Sequence, residues 1–174
     1  MMPGLKKFIP AQRIAGKIGE LGRKISSYYG DNPFVMVILT KGAIIFAADL
    51  MRRIKSPMRL ELLSARSYKG KKSTGKVTIN SGDEMKLKDC RVLIVDEILD
   101  TGKTMTEVIR FIKTMRPLEI RTCVLLDKPA RRIEKITPDY SGFEIPDEFV
   151  IGYGLDLDEY FRNLPEIMIA KNSP

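Results

Sequence analysis

The chain has 174 residues, of which 44% are hydrophobic and 30% charged, a composition that excludes disorder and suits one folded unit with a single core. Histidine is absent, so imidazole metal ligands are excluded and acid–base work falls to carboxylates, lysines or tyrosines. A formal net charge of +8 favours polyanionic partners, either nucleic acid or small phosphorylated substrates steered into a site.

No apolar run approaches the length of a membrane span, and the opening MMPGLKKF lacks the apolar stretch of a secretion signal, so a cytoplasmic location without membrane contact is expected. Cys90 and Cys123 show no CxxC spacing and are expected to be reduced, packed thiols.

In chain order, Ile14, Ile18, Leu21 and Ile25 predict an amphipathic helix over residues 9–29, ended by Gly30-Asp31-Asn32-Pro33. Residues 34–39 predict the first buried strand, and Thr40-Lys41-Gly42 turns the chain into a largely apolar helix over 43–54. Gly42 marks a close backbone approach, while Lys41 alone reads as a turn lysine. Residues 58–64 predict a strand. The next stretch, ARSYKGKKSTGK at 65–76, is polar, basic and broken by Gly70 and Gly75, which predicts a mobile loop. No helix-turn-helix, zinc or RNA-binding signature accompanies its basic run, so steering of anionic substrates is the preferred reading of the charge. Residues 77–79 predict a short strand and 80–89 a polar connection.

The most informative stretch is RVLIVDEILDTGKT, residues 91–104. The uncharged run 92–95 predicts a strand covered on both faces. Asp96 and Glu97 open a polar loop, and Met105, Val108, Ile109, Ile112 and Met115 then fall at helical spacing. A strand–loop–helix order puts the loop at the carboxyl end of a sheet strand, where open α/β folds bind ligands. Gly102, the hydroxyls of Thr101 and Thr104 and an uncapped helix start suit a phosphate. A nucleoside-triphosphatase loop needs glycine where Glu97 stands. The two acids repel phosphate and suit ribose hydroxyls or Mg²⁺. The pattern therefore reads either as a phosphorylated-sugar site or as a solvated acidic turn with Asp100 at a helix start.

Residues 120–126 predict a further strand, with Lys128 following it and held before Pro129. The tail FEIPDEFVIGYGLDLDEYFRNLP, residues 143–165, runs apolar from Phe149 and Val150 to Gly152-Tyr153-Gly154, then clusters Asp156, Asp158 and Glu159 near Arg162. In isolation this is core followed by a solvated turn.

VLIVDEILDTGKT resembles the phosphoribosyl-pyrophosphate (PRPP) motif of the type I phosphoribosyltransferases, and the tail resembles the C-terminal signature of their hypoxanthine-guanine branch. The matching segments extend from about Val37 to Pro165. The resemblance implies an α/β fold with a central, mostly parallel sheet flanked by helices, forming a single domain over residues 1–174. It also implies a flexible lid at about 65–76, in which Ser67 and Tyr68 close over the site, and a small hood mainly from 143–174 with an N-terminal contribution.

By the same resemblance, PRPP is held by Asp96, Glu97, Asp100, Thr101, Gly102, Lys103 and Thr104. Lys41 and Gly42, with an unusual cis peptide before the lysine, join Arg162 on the pyrophosphate. Mg²⁺ is supported by Asp96, Glu97 and Asp156. Phe149 stacks on the purine, the backbone at Val150 reads its edge, and Lys128 donates to its 6-oxo group, which a 6-amino group cannot accept. Asp100 is the candidate general base. The implied partners are PRPP and a 6-oxopurine in a homodimer or homotetramer, with no nucleic acid. A xanthine preference, a nucleic-acid-binding PRPP sensor and a pyrimidine-linked relative are the alternatives, the last of which should lack this tail. Two departures stand out. Thr40 replaces the usual leucine, and Asp96-Glu97 inverts the usual Glu-Asp order, leaving open which acid meets ribose and which supports Mg²⁺.

Overall fold

A computed structural model describes residues 4–67, 77–81 and 85–171. The run FVMVILT forms β2 (Phe34–Thr40), buried on both faces along almost its whole length. Phe34, Met36 and Ile38 face one hydrophobic layer with α1 (Ala11–Tyr29) and α2 (Ala43–Met51). Val35, Val37 and Leu39 face a second layer with α3 (Lys103–Lys113). The period-two alternation thus feeds two cores at once.

Around β2 runs a six-stranded sheet in the order β4-β3-β2-β5-β6-β7, with β3 at Met58–Ser67, β4 at Val77–Ser81, β5 at Arg91–Leu99, β6 at Glu119–Asp127 and β7 at Tyr140–Glu144. All neighbours pair in parallel except β3 and β4. The helices after β2 and β5 pack on opposite faces of the sheet, so the adjacent carboxyl ends of these two strands form a topological switch point. That crevice is where such sheets bind ligands.

A second, three-stranded antiparallel sheet joins β1 (Gly4–Ile9), β9 (Ile167–Lys171) and β8 (Val150–Ile151). The strand β1 was not expected. The helix begins two residues later than its periodicity predicts, because the segment before Pro10 pairs with β9. Tyr140–Glu144 belongs to the main sheet, so the small sheet draws on residues beyond it and on the N-terminus.

Two more boundaries move. β5 continues through Asp96 and Glu97 to Leu99, so the acids stand on the strand's carboxyl end rather than in a loop. β3 runs on to Ser67, which pairs with Val77. Tyr68 and residues 69–76 of the expected lid lie outside the described residues. In the connection before β5, Met85 and Leu87 are buried against the α3 layer, so it is anchored rather than simply solvated. Cys90 and Cys123 are both free thiols. Among the described residues no helix is long and apolar enough to cross a membrane.

Candidate active site

The crevice holds a cavity of about 530 Å³, lined by residues 39–42, 96–102, Ala65, Thr104, Met105, Arg131, Asp156, Glu159 and Arg162. Nearly every residue expected to hold PRPP is in that lining. Lys103 is the exception: it is exposed on the first turn of α3, and its N–H donates to Thr101 Oγ1 at 3.4 Å.

At one end the start of α3 faces the cavity with no side-chain cap. Gly102 precedes it at φ 86°, a left-handed conformation that favours glycine. A Cβ there would sit 2.8 Å from Ile136 Cγ2 and 3.1 Å from Arg132 Cδ. The close approach at Gly102 is therefore to the chain's own 132–136 segment. That segment donates from Ile133 N and Glu134 N to the Thr101 carbonyl at 2.9 and 3.1 Å. Arg132 pins the loop from beneath: its Nε donates to the Asp100 carbonyl at 2.9 Å and Nη2 to the Leu99 carbonyl at 3.1 Å.

At the other end Lys41 and Arg162 bring positive charge to the rim. The Thr40–Lys41 peptide is cis. The tail is fixed against this turn by backbone contact, since a Cβ on Gly154 (φ 102°) would collide with the Gly42 carbonyl. The Tyr153 hydroxyl also donates to Asp49 on α2. Arg162 Nη1 donates to the Gly154 carbonyl at 2.7 Å, and Nη2 lies 2.7 Å from Asp156 Oδ1.

Between the two ends stand the acids. Glu97 packs its carboxylate on Gly42, where any Cβ would collide with it, and its N–H donates to Asp96 Oδ1 at 2.9 Å. Burial, followed by the Glu97 carboxylate beside it, pushes Asp96 well above the usual carboxylate range, and burial raises Glu97 too. A carboxyl raised in this way binds its proton more tightly folded than unfolded. The stability it contributes is present below the ordinary value of 3.8 and is lost as pH rises through the raised one. Asp96→Asn should therefore stabilise the fold at pH 8 by on the order of 1 kcal/mol, about 2–4 °C in a chain of this size. The gain should shrink toward pH 4. Melting curves at both pH values test this, and a lower melting temperature for the variant at pH 8 would refute it.

Asp100 Oδ1 is buried and has no hydrogen-bond partner among the described residues, with Arg131 Nε 3.5 Å away. Arg131 Nε also lies 3.7 Å from Asp147 Oδ1, which is itself 3.7 Å from Lys128 Nζ. Lys128 is only 4% exposed, and its Nζ donates to the Glu148 carbonyl at 2.8 Å. It is not a surface lysine. Phe149 is 40% exposed and so is not core, whereas Val150 is buried. These three residues stand outside the main cavity lining, and Lys128 is joined to it through Asp147 and Arg131. Arg131 and Arg132 carried no readable sequence signal. They follow a strand end, where basic residues ordinarily face solvent.

Among the described residues no group of three acids converges into a preformed metal cage. Hard carboxylate oxygens at Glu97 and Asp156 nevertheless suit Mg²⁺, which commonly takes one or two carboxylates and completes its shell with water and phosphate.

A parallel sheet with a phosphate-suited helix start, an acid pair and two cations at one switch point defines a protein that binds a phosphorylated sugar. A family model for the phosphoribosyl transferase domain matches residues 6–158, and the chain belongs to that family. It is 42% identical over 170 residues to a hypoxanthine-guanine phosphoribosyltransferase of Aquifex aeolicus, covering 97% of this chain and 96% of the relative. A hypoxanthine phosphoribosyltransferase of Buchnera aphidicola is 37% identical over 166 residues, 94% of each chain. The crystal structure of a hypoxanthine-guanine phosphoribosyltransferase of Bacillus anthracis superposes with a TM-score of 0.89 at 34% identity, covering 98% of this chain and 99% of that one. The fold is that of the type I phosphoribosyltransferases.

Proposed function

We propose that the chain is a purine salvage enzyme that transfers the 5-phosphoribosyl group of PRPP to N9 of hypoxanthine or guanine, releasing pyrophosphate. The observation that carries this reading is the single cavity in which an uncapped helix start, paired acids and the Lys41–Arg162 cations lie together. In it the start of α3, with Thr101, Gly102 and Thr104, takes the 5′-phosphate, since helix N–H groups and hydroxyls favour an anion. Lys41, Gly42 and Arg162 take the pyrophosphate. Glu97, resting on Gly42, serves the pyrophosphate end with Asp156, and Asp96 accepts from the ribose hydroxyls. Bound Mg²⁺, held by these carboxylates, would neutralise charge on the leaving pyrophosphate. Positive charge develops at ribose C1 as that bond breaks, and an ionised carboxylate of the acid pair would stabilise it. Asp100 receives the purine ring proton. Phe149 and the Val150 backbone hold the base beside Lys128, and Ser67 and Tyr68 exclude water by closing over it.

Relatives named for hypoxanthine match 94–97% of the chain, which leaves the sensor and pyrimidine alternatives without support. We take the chain to be one domain, cytoplasmic, and a homodimer or homotetramer. Leu60 and Leu62, exposed on β3 opposite buried Met36 and Ile38 of β2, support an assembly of copies.

Pyrophosphate release from PRPP with adenine, hypoxanthine, guanine, xanthine and uracil tests the reading. Only the 6-oxopurines should react well. Adenine should be poorer by roughly 10⁴-fold, because a donor-only lysine faces its amino group and the N–H aimed at the base stays unpaired. Lys128→Gln supplies both a donor and an acceptor and should narrow that gap. Comparable adenine and hypoxanthine turnover in the intact protein would end the assignment of Lys128.

A further inference from the structure

The two cations assigned to pyrophosphate are not idle in the free protein. Glu159 Oε2 lies 2.9 Å from Lys41 Nζ and 3.3 Å from Arg162 Nη2, so one carboxylate oxygen bridges both. Lys41 stands at the end of β2 and Glu159 on the tail, so this contact spans the rim of the cavity that both residues line. The tail is shaped to make it. Asp158, Glu159 and Phe161 all have positive φ (51°, 70° and 72°), which non-glycine residues seldom adopt. The Glu159 N–H is tied to Asp156 Oδ2 at 2.9 Å, and Leu157 bridges to Tyr160. A tight, unfavoured turn thus delivers one carboxylate to the site's cation pair.

We propose that Glu159 is an internal competitor for the pyrophosphate subsite, an anion that stands in for the diphosphate while the site is free. The proposal rests on the assignment of Lys41 and Arg162 to pyrophosphate. The side chains of Lys41 and Glu159 are 52% and 61% exposed, so water screens the pair and the hold is weak. A diphosphate carries several charges and displaces a single carboxylate. The cations remain neutralised and ordered between turnovers. When the transfer is complete, the returning carboxylate offsets part of the attraction that would otherwise retain the released pyrophosphate. Ligand affinity is reduced by whatever Glu159 contributes to the free state.

The test is calorimetric binding of magnesium pyrophosphate to the full chain, comparing wild type with Glu159→Gln and Asp158→Asn. Asp158 neighbours Glu159, carries the same charge and makes no ion pair among the described residues. Glu159→Gln should bind pyrophosphate about two- to ten-fold more tightly, with the gain fading at high salt. Asp158→Asn should change it by less than two-fold. Equal tightening in both variants would reduce the effect to overall charge and overturn the proposal. Weaker binding by Glu159→Gln would also overturn it, because Glu159 would then be positioning the cations. Failure of the wild type and both variants to bind pyrophosphate would instead remove the reading of the cavity itself, and the proposal with it.

Discussion

Arg132→Ala should lower the melting temperature by roughly 6–20 °C. Arg132 is inside the protein, with its side chain 14% exposed and that of its partner Asp127 15% exposed. Beyond that pair, it donates to the carbonyls of Asp100, Leu99 and Ile136. Alanine would leave a mostly buried carboxylate and the carbonyls of Asp100 and Ile136 without this donor, while the Leu99 carbonyl keeps the Lys128 N–H. Breaking a buried pair from one side costs about 3–5 kcal/mol, and each kcal/mol moves a chain of this length by about 2–4 °C. Activity should fall with stability, because the same guanidinium holds the Leu99–Asp100 backbone that carries the phosphate loop. Arg132→Lys keeps the charge but loses the planar fork, and should fall between the two. A thermal melt within about 3 °C of wild type for Arg132→Ala would show that the loop is held by something else.

What could be read from sequence and what could not divide along one physical line. Asp96, Glu97, Asp100, Thr101, Gly102 and Thr104 lie within one short stretch, so a local pattern carried them into the cavity together. The buried stripe of α1, Ile14, Ile18, Leu21 and Ile25, was legible because helical period and burial coincide. The strand β1 was not, because GLKKFI is mostly exposed and exists through pairing with β9 at the far end of the chain. The acids were read as loop because charge is rare in a covered strand. They are tolerated because β5 ends in a polar cavity rather than in the core. Arg131, Arg132 and the contact between Gly42 and Gly154 depend on partners far away in sequence, and no window of neighbouring residues contains them.

Asp100→Asn should lower kcat by about 10²–10⁴, the usual loss when a positioned general base is removed, while KM for PRPP changes far less. The geometry explains the split. Asp100 holds its place in the loop mainly through its carbonyl, which Arg132 grips, its carboxylate adding only a long ion pair to Arg131. Asparagine therefore leaves the loop and the start of α3 where they are, and the phosphate contacts survive. What it loses is the carboxylate, whose Oδ1 is buried and makes no hydrogen bond among the described residues, so it is not committed to another donor. Arg131, 3.5 Å away, neutralises the carboxylate's charge without occupying it through an aligned hydrogen bond. An interaction made only as the purine loses its ring proton should appear in kcat, whereas one made equally with bound PRPP should appear in KM. Steady-state kinetics with hypoxanthine saturating, and then with PRPP saturating, separate the two. Near-normal kcat would exclude Asp100 as the base, and a large rise in the KM for PRPP with kcat preserved would assign the carboxylate to binding the sugar phosphate.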